Sequence, residues 1–83
     1  MCKSLYVVRD AKAEFYGDPI LLDNDAMARR LFFDAARDPN SPLSKHPEDY
    51  ALYLVGTYDA RTAVISSLDT PVHLGNASEA VHA

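Results

Sequence analysis

The sequence predicts an α+β fold, a four-stranded and mostly antiparallel sheet with one helix packed on one face. Three observations carry that prediction. β-branched and aromatic residues gather in short runs at 4–9, 50–55 and 62–68. A single stretch, "DNDAMARRLFFDAARDPN", repeats apolar residues with the 3.6-residue period of a helix. Glycine, proline and aspartate clusters separate these segments.

The elements follow in order. "SLYVVR" at 4–9 reads as a strand with apolar residues on both faces, Leu5 and Val7 on one and Tyr6 and Val8 on the other. Periodicity is lost over "DAKAEFYGDP", and Gly17, Asp18 and Pro19 mark a turn. "ILL" at 20–22 is a short strand or an extended lead-in. The helix follows. Asp23 or Asn24 can cap it, since a short side-chain oxygen accepts from the unpaired amides of the first turn. Asp25 adds negative charge at the positive end of the dipole, and Pro39 stops the helix near Asp38. Its predicted apolar face is Met27, Ala28, Leu31, Phe32 and Ala35.

"PNSPLSKHPED", with three prolines in nine residues from Pro39 to Pro47, is a loop or a one-turn helix. In "KHPEDYALYLVGTYD" a two-sided strand then runs to Gly56, with Tyr50, Leu52 and Leu54 on one face and Ala51, Tyr53 and Val55 on the other. Such a strand belongs at the centre of a sheet, covered by the helix on one side and by a partner or a second copy on the other. A turn around Asp59 and Ala60 leads to the return strand at 62–68. Residues 1–70 form the expected domain. Residues 71–83 read as a weakly ordered tail, in which "VHL" is a candidate edge strand.

Composition limits the function classes. Eighty-three residues make one small domain, and a core of that size leaves only ~3–5 kcal/mol of net stability. A net charge of −4 argues against a general nucleic-acid coat but leaves room for a local basic patch. One cysteine, Cys2, rules out an intrachain disulfide and fits a reducing compartment. His46, His73 and His82 are far apart and lack cysteines at ligand spacing, so no metal site and no cofactor is expected. No apolar run is long enough to span a membrane, and the first residues do not form a secretion signal.

Catalytic constellations are also missing from the pattern. "HPED" places His46, Glu48 and Asp49 together, but Pro47 fixes a turn there and the acids pair or cap locally. With three glycines there is no phosphate-cradling loop. A non-enzymatic protein is therefore expected. The most suggestive local feature is a helix face bearing Arg29, Arg30, Phe33 and Arg37, in which Phe33 falls roughly opposite the apolar face. Read as a single-stranded nucleic-acid site, the arginines neutralise phosphates and the ring stacks on a base. Arg9 and Lys12 assist, and Tyr6, Tyr16, Tyr53 and Tyr58 extend the platform from the sheet. Read structurally, it is a solvated face on which Arg30 pairs with Asp34 or Asp38, with Phe33 buried in a dimer contact.

The chain resembles the small nonstructural protein of the gokushoviruses, single-stranded DNA bacteriophages of the Microviridae. The resemblance runs through "YVVRDAKAEFYGDPILLDND", "DAMARRLFFDAARDP" and above all "KHPEDYALYLVGTYD". A strand ending in Arg-Asp, a helix carrying Arg30 and Phe32, and the order HPEDYxLYxxGxYD carry it together. After Asp59 the chain departs from the family's acidic turn with Thr-Gly and has "DARTA" instead. The resemblance implies a nonstructural accessory protein, often labelled DNA-binding, that serves single-stranded genome synthesis or packaging in the cytoplasm of the infected bacterial host. No catalytic residues come with it. The expected partners are single-stranded DNA and a second copy in a homodimer, with no membrane. The alternative is a module that binds a phage or host protein, with Phe33 and the outward tyrosines as anchors.

Overall fold

The computed structural model describes residues 2–81. Five strands and three short helices succeed one another as β1 (Cys2–Asp10), β2 (Phe15–Tyr16), β3 (Ile20–Leu22), α1 (Asp25–Arg37), α2 (Pro42–Lys45), β4 (Tyr50–Asp59), β5 (Val64–Asn76) and α3 (Ala77–Val81). A 3₁₀ turn at Pro47–Asp49 leads into β4. Every strand pair is antiparallel, and the sheet order is β2-β1-β4-β5, with β3 paired to β1. The α+β class predicted from sequence is the class observed, and the two-sided strand β4 sits between β1 and β5. β4 passes through Gly56 and continues to Asp59. Only a glycine fits at 56, since a Cβ there would collide with the Ser66 carbonyl oxygen of β5.

Two hairpin turns share one construction, and the pattern DA(K/R) marks both in the sequence. In the first, the Asp10 carboxylate accepts from the amides of Lys12 and Ala13, and the Glu14 amide donates to the Asp10 carbonyl. In the second, the Asp59 carboxylate accepts from the Arg61 amide, and the Ala63 amide donates to the Asp59 carbonyl. The aspartate holds the loop and the fourth loop residue turns left-handed, with φ of 61° at Glu14 and 62° at Ala63. The departure at "DARTA" therefore keeps the hairpin but places an alanine where a glycine is at ease.

α1 begins as its sequence predicts. The Asn24 side chain caps it by accepting from the Met27 amide at 2.8 Å. The buried face is rotated from the predicted one. Ala28, Phe32 and Ala36 are buried with Tyr6 and Leu52, while Met27 and Leu31 are 41% and 51% exposed. The rotation has a cause in the C-terminal segment. Residues 71–81, expected as a tail, complete β5 and form α3, whose Ala77 and Ala80 enter the same core. A glutamate at the third position of α3, Glu79, accepts from the amide of Asn76 just before the helix, as in a capping box. The last residues of the expected tail, including His82, lie outside the described residues.

Tyr6 is the largest fully buried side chain, and its hydroxyl donates to the Asp25 carboxylate at 2.6 Å. Burial first, and then that bond, push the Tyr6 hydroxyl above its ordinary value near 10. In the unfolded chain Tyr6 loses its proton near that value, whereas the folded chain keeps it to higher pH. Stability is thus intact below the unfolded value and declines as the pH climbs through the raised one.

Urea unfolding at about pH 8 and about pH 11 should show that decline, and Tyr6→Phe should flatten it. Gly56→Ala should cost ~1–3 kcal/mol in the same assay, because backbone rather than a flexible side chain occupies the space. Ala63→Gly should raise stability by about 1 kcal/mol by relieving the left-handed strain.

Candidate nucleic-acid interface

The sheet has a covered side and an open side. Tyr6 lies opposite Leu54, and Val8 opposite Leu52, so these four share the side facing α1. Val7 lies opposite Tyr53, and Arg9 opposite both Ala51 and Tyr16, so these belong to the other side. The first hairpin brings Tyr16 there. The Asp10 turn folds β2 back along β1, and the Gly17 amide donates to the Val8 carbonyl at 2.8 Å.

On the open side three rings form a row across the sheet. Tyr16 and Tyr53 meet edge to face with centroids 5.7 Å apart. Tyr53 and His73 do the same at 5.4 Å. The Arg9 guanidinium carbon lies 5.7 Å from the Tyr16 centroid. His73 is fixed by its Nε2–H, which donates to Asn76 Oδ1 at 2.9 Å. Tyr16 is 45% exposed, and Tyr53 and Arg9 are half-buried. The row thus combines a cation with three aromatic rings on strands rather than loops, which suits planar, negatively charged ligands such as nucleotides.

The residues picked from sequence are dispersed. Phe33 does not point outward. It is half-buried against Phe32 and against Gly75 of β5, where a Cβ would come within 3.2 Å of its ring. Arg29 Nε donates to the Leu74 carbonyl at 3.3 Å, and Arg37 Nε to the Ala80 carbonyl at 3.4 Å. Arg29, Phe33 and Arg37 therefore line the seam between α1 and the C-terminal segment. The sequence did not reveal that seam because 71–81 read as a tail. Asp34 lies 4.0 Å from Arg37 rather than pairing with Arg30, and Arg30 is exposed without an ion pair among the described residues. Of the six candidates, only Arg9 joins the aromatic row. Lys12, at the tip of the first hairpin, borders a cleft of about 200 Å³ together with Asp10, His46, Asp49 and Tyr50.

The tyrosines also divide. Tyr16 and Tyr53 take their expected place, while Tyr6 is in the core. Tyr58 lies farther along β4, opposite Lys3 and Ile65. His73 was overlooked because the register of β5 slips. Four residues, 68–71, bulge opposite Val55 alone. Without that bulge the register set by Asp59 opposite Val64 would put Thr70, not His73, beside Tyr53. On the covered side, an apolar cavity of about 200 Å³ opens between α1 and β3, beneath Ile20 and Leu31. It offers no polar group to orient a ligand except near Tyr6.

A family model described as Phage ORF5 protein matches residues 3–80. No curated protein and no solved structure matches the chain.

Alanine substitutions separate seam from surface. Phe33→Ala should cost ~2–4 kcal/mol in urea unfolding, somewhat below a fully buried phenylalanine. Arg30→Ala should stay within about 0.5 kcal/mol of the unaltered chain.

Proposed function

The chain belongs to the Phage ORF5 protein family, and from that premise we propose that it is a non-enzymatic accessory protein that binds single-stranded DNA across the open face of its sheet. The observation that carries the reading is the row Arg9, Tyr16, Tyr53 and His73. Bases of a single strand stack on the rings, each stacked base contributing ~1–3 kcal/mol. Arg9 neutralises a phosphate beside them. The net charge of −4 keeps this electrostatic contribution local, so stacking carries most of the affinity and the salt dependence is shallow. The resemblance to gokushovirus nonstructural proteins supports this reading. Under this reading the protein serves single-stranded genome synthesis or packaging, in the cytoplasm of the infected bacterial host. No helix among the described residues is long and apolar enough to cross a membrane.

A second reading has one observation in its favour. Leu31 and Ile20 are exposed at the apolar cavity on the other side of the sheet. Under that reading the chain captures a phage or host protein there.

Fluorescence anisotropy of a labelled single-stranded oligonucleotide across a salt series tests the first reading. Tyr53→Ala should weaken binding by ~1–3 kcal/mol. Arg9→Ala should weaken it and lower the salt slope by about 0.7. Arg30→Ala should leave both unchanged. Saturable binding that ignores Tyr53 and Arg9, or no binding at low salt, would reject the sheet face as the site.

A further inference from the structure

The aromatic row runs across the strands, not along them. Tyr16 comes from β2, Arg9 from β1, Tyr53 from β4 and His73 from β5, so every strand in the order β2-β1-β4-β5 supplies one member. β2 and β5 are the two ends of that order, and the row ends where the sheet ends. Beyond Tyr16 the chain leaves the strand through Gly17, Asp18 and Pro19. Beyond β5 no further strand follows among the described residues. The steps between ring centroids, 5.7 and 5.4 Å, are wider than the spacing of about 3.4 Å between stacked bases of a duplex. Bases can follow such steps only when they part from one another, as those of an unpaired strand do when they settle on aromatic side chains. Neighbouring rings are inclined at 79° and 71°, so none lies face to face on the next.

The direction along the strands is less suited to a polyanion. Val7, Leu5 and Lys3 follow Arg9 on the same side of β1 by alternation. Leu5 faces Leu21 of β3, which gives an aliphatic surface. Lys3, the next cation on that side, lies 3.6 Å from Asp23, so its charge is already met. In the opposite direction β1 ends at Asp10, whose carboxylate closes the first turn. Arg9 has no ion-pair partner among the described residues.

Taking the sheet face as the DNA site, we infer that it holds three consecutive nucleotides of a single strand, one base to each ring, with the strand crossing the sheet between β2 and β5. Arg9 neutralises one phosphate, and the flanking phosphates stay in solvent. The smallest complete ligand is then a trinucleotide. A longer strand gains only the extra registers in which three of its nucleotides can lie on the row.

Thymidine oligonucleotides of one to about eight nucleotides, competing with a labelled strand for the full chain, test the footprint. Affinity should rise at least about five-fold with each nucleotide up to three. Past three it should rise only with the number of registers, and the salt slope should stay at about 0.7. His73→Ala should move the plateau from three nucleotides to two. Lys3→Ala, at an exposed residue off the row, should change neither affinity nor slope. Affinity that keeps its gain per nucleotide past three overturns the footprint. So does a salt slope that grows with length, a plateau that His73→Ala leaves at three, or binding weakened by Lys3→Ala. Each of those outcomes leaves the sheet face standing as the binding site. Binding that ignores Tyr53 and Arg9, or none at any length, overturns both the face and the footprint.

Discussion

Tyr6 is wholly buried, so its hydroxyl must find an acceptor within the chain, and the half-buried Asp25 carboxylate at 2.6 Å is that acceptor. A hydrogen bond to an ionised partner is shorter and stronger than a neutral one, and this one joins β1 to the first turn of α1. It fixes where the helix starts along the sheet. It also decides which side of β1 is covered, because Tyr6 and Val8 must face α1 and Val7 and Arg9 must face away. The open side of the sheet is therefore a consequence of where one tyrosine is satisfied.

With so little chain, the core is closed by small residues. Ala28 and Ala36 of α1 and Ala77 and Ala80 of α3 are all buried, and their size lets the two helices approach closely. Arginines complete the seam. Arg29 and Arg37 reach carbonyl oxygens at Leu74 and Ala80, groups that the end of a strand and the last turn of a short helix leave unsatisfied. The ring of Phe33 fills the space over Gly75 between them. Charged side chains that look like ligand contacts along an isolated helix act here as fasteners for the C-terminal segment.

β4 shows how irregularity positions function. Val55 is an extra residue against β1, where Leu5 faces Gly56 and Tyr6 faces Leu54. The same valine faces the bulge at 68–71 in β5. Both neighbours thus change register at one point of the central strand, which increases the local twist. On one side of that point the slip sets His73 beside Tyr53 and completes the aromatic row. On the other side of it lies Val64–Leu68, an uncharged stretch of the last strand of the sheet.

Much of this fold was legible in the residues themselves, since it follows from local chemistry. The apolar alternation of 50–55 defines a central strand whatever lies around it. Asn24 and Pro39 bound α1 because capping and proline geometry act over three or four residues. The turn at Asp59 was legible in the same way, since its carboxylate accepts from an amide two residues on, whereas the matching turn at Asp10 did not stand out from a stretch without periodicity. Of the four tyrosines that read as a stacking platform, Tyr16 and Tyr53 meet on the open side of the sheet, while Tyr6 is buried. What lay beyond local reach was decided by contacts between distant segments. The rotation of the buried face of α1, the inward turn of Phe33, and the docking of 71–81 depend on α3 meeting α1 about forty residues away in sequence. The place of His73 depends on a register slip that no period in the sequence records, because a bulge moves every later pair without altering the residues that form it. Local bonds determine which elements exist, and only packing between them determines which faces remain open.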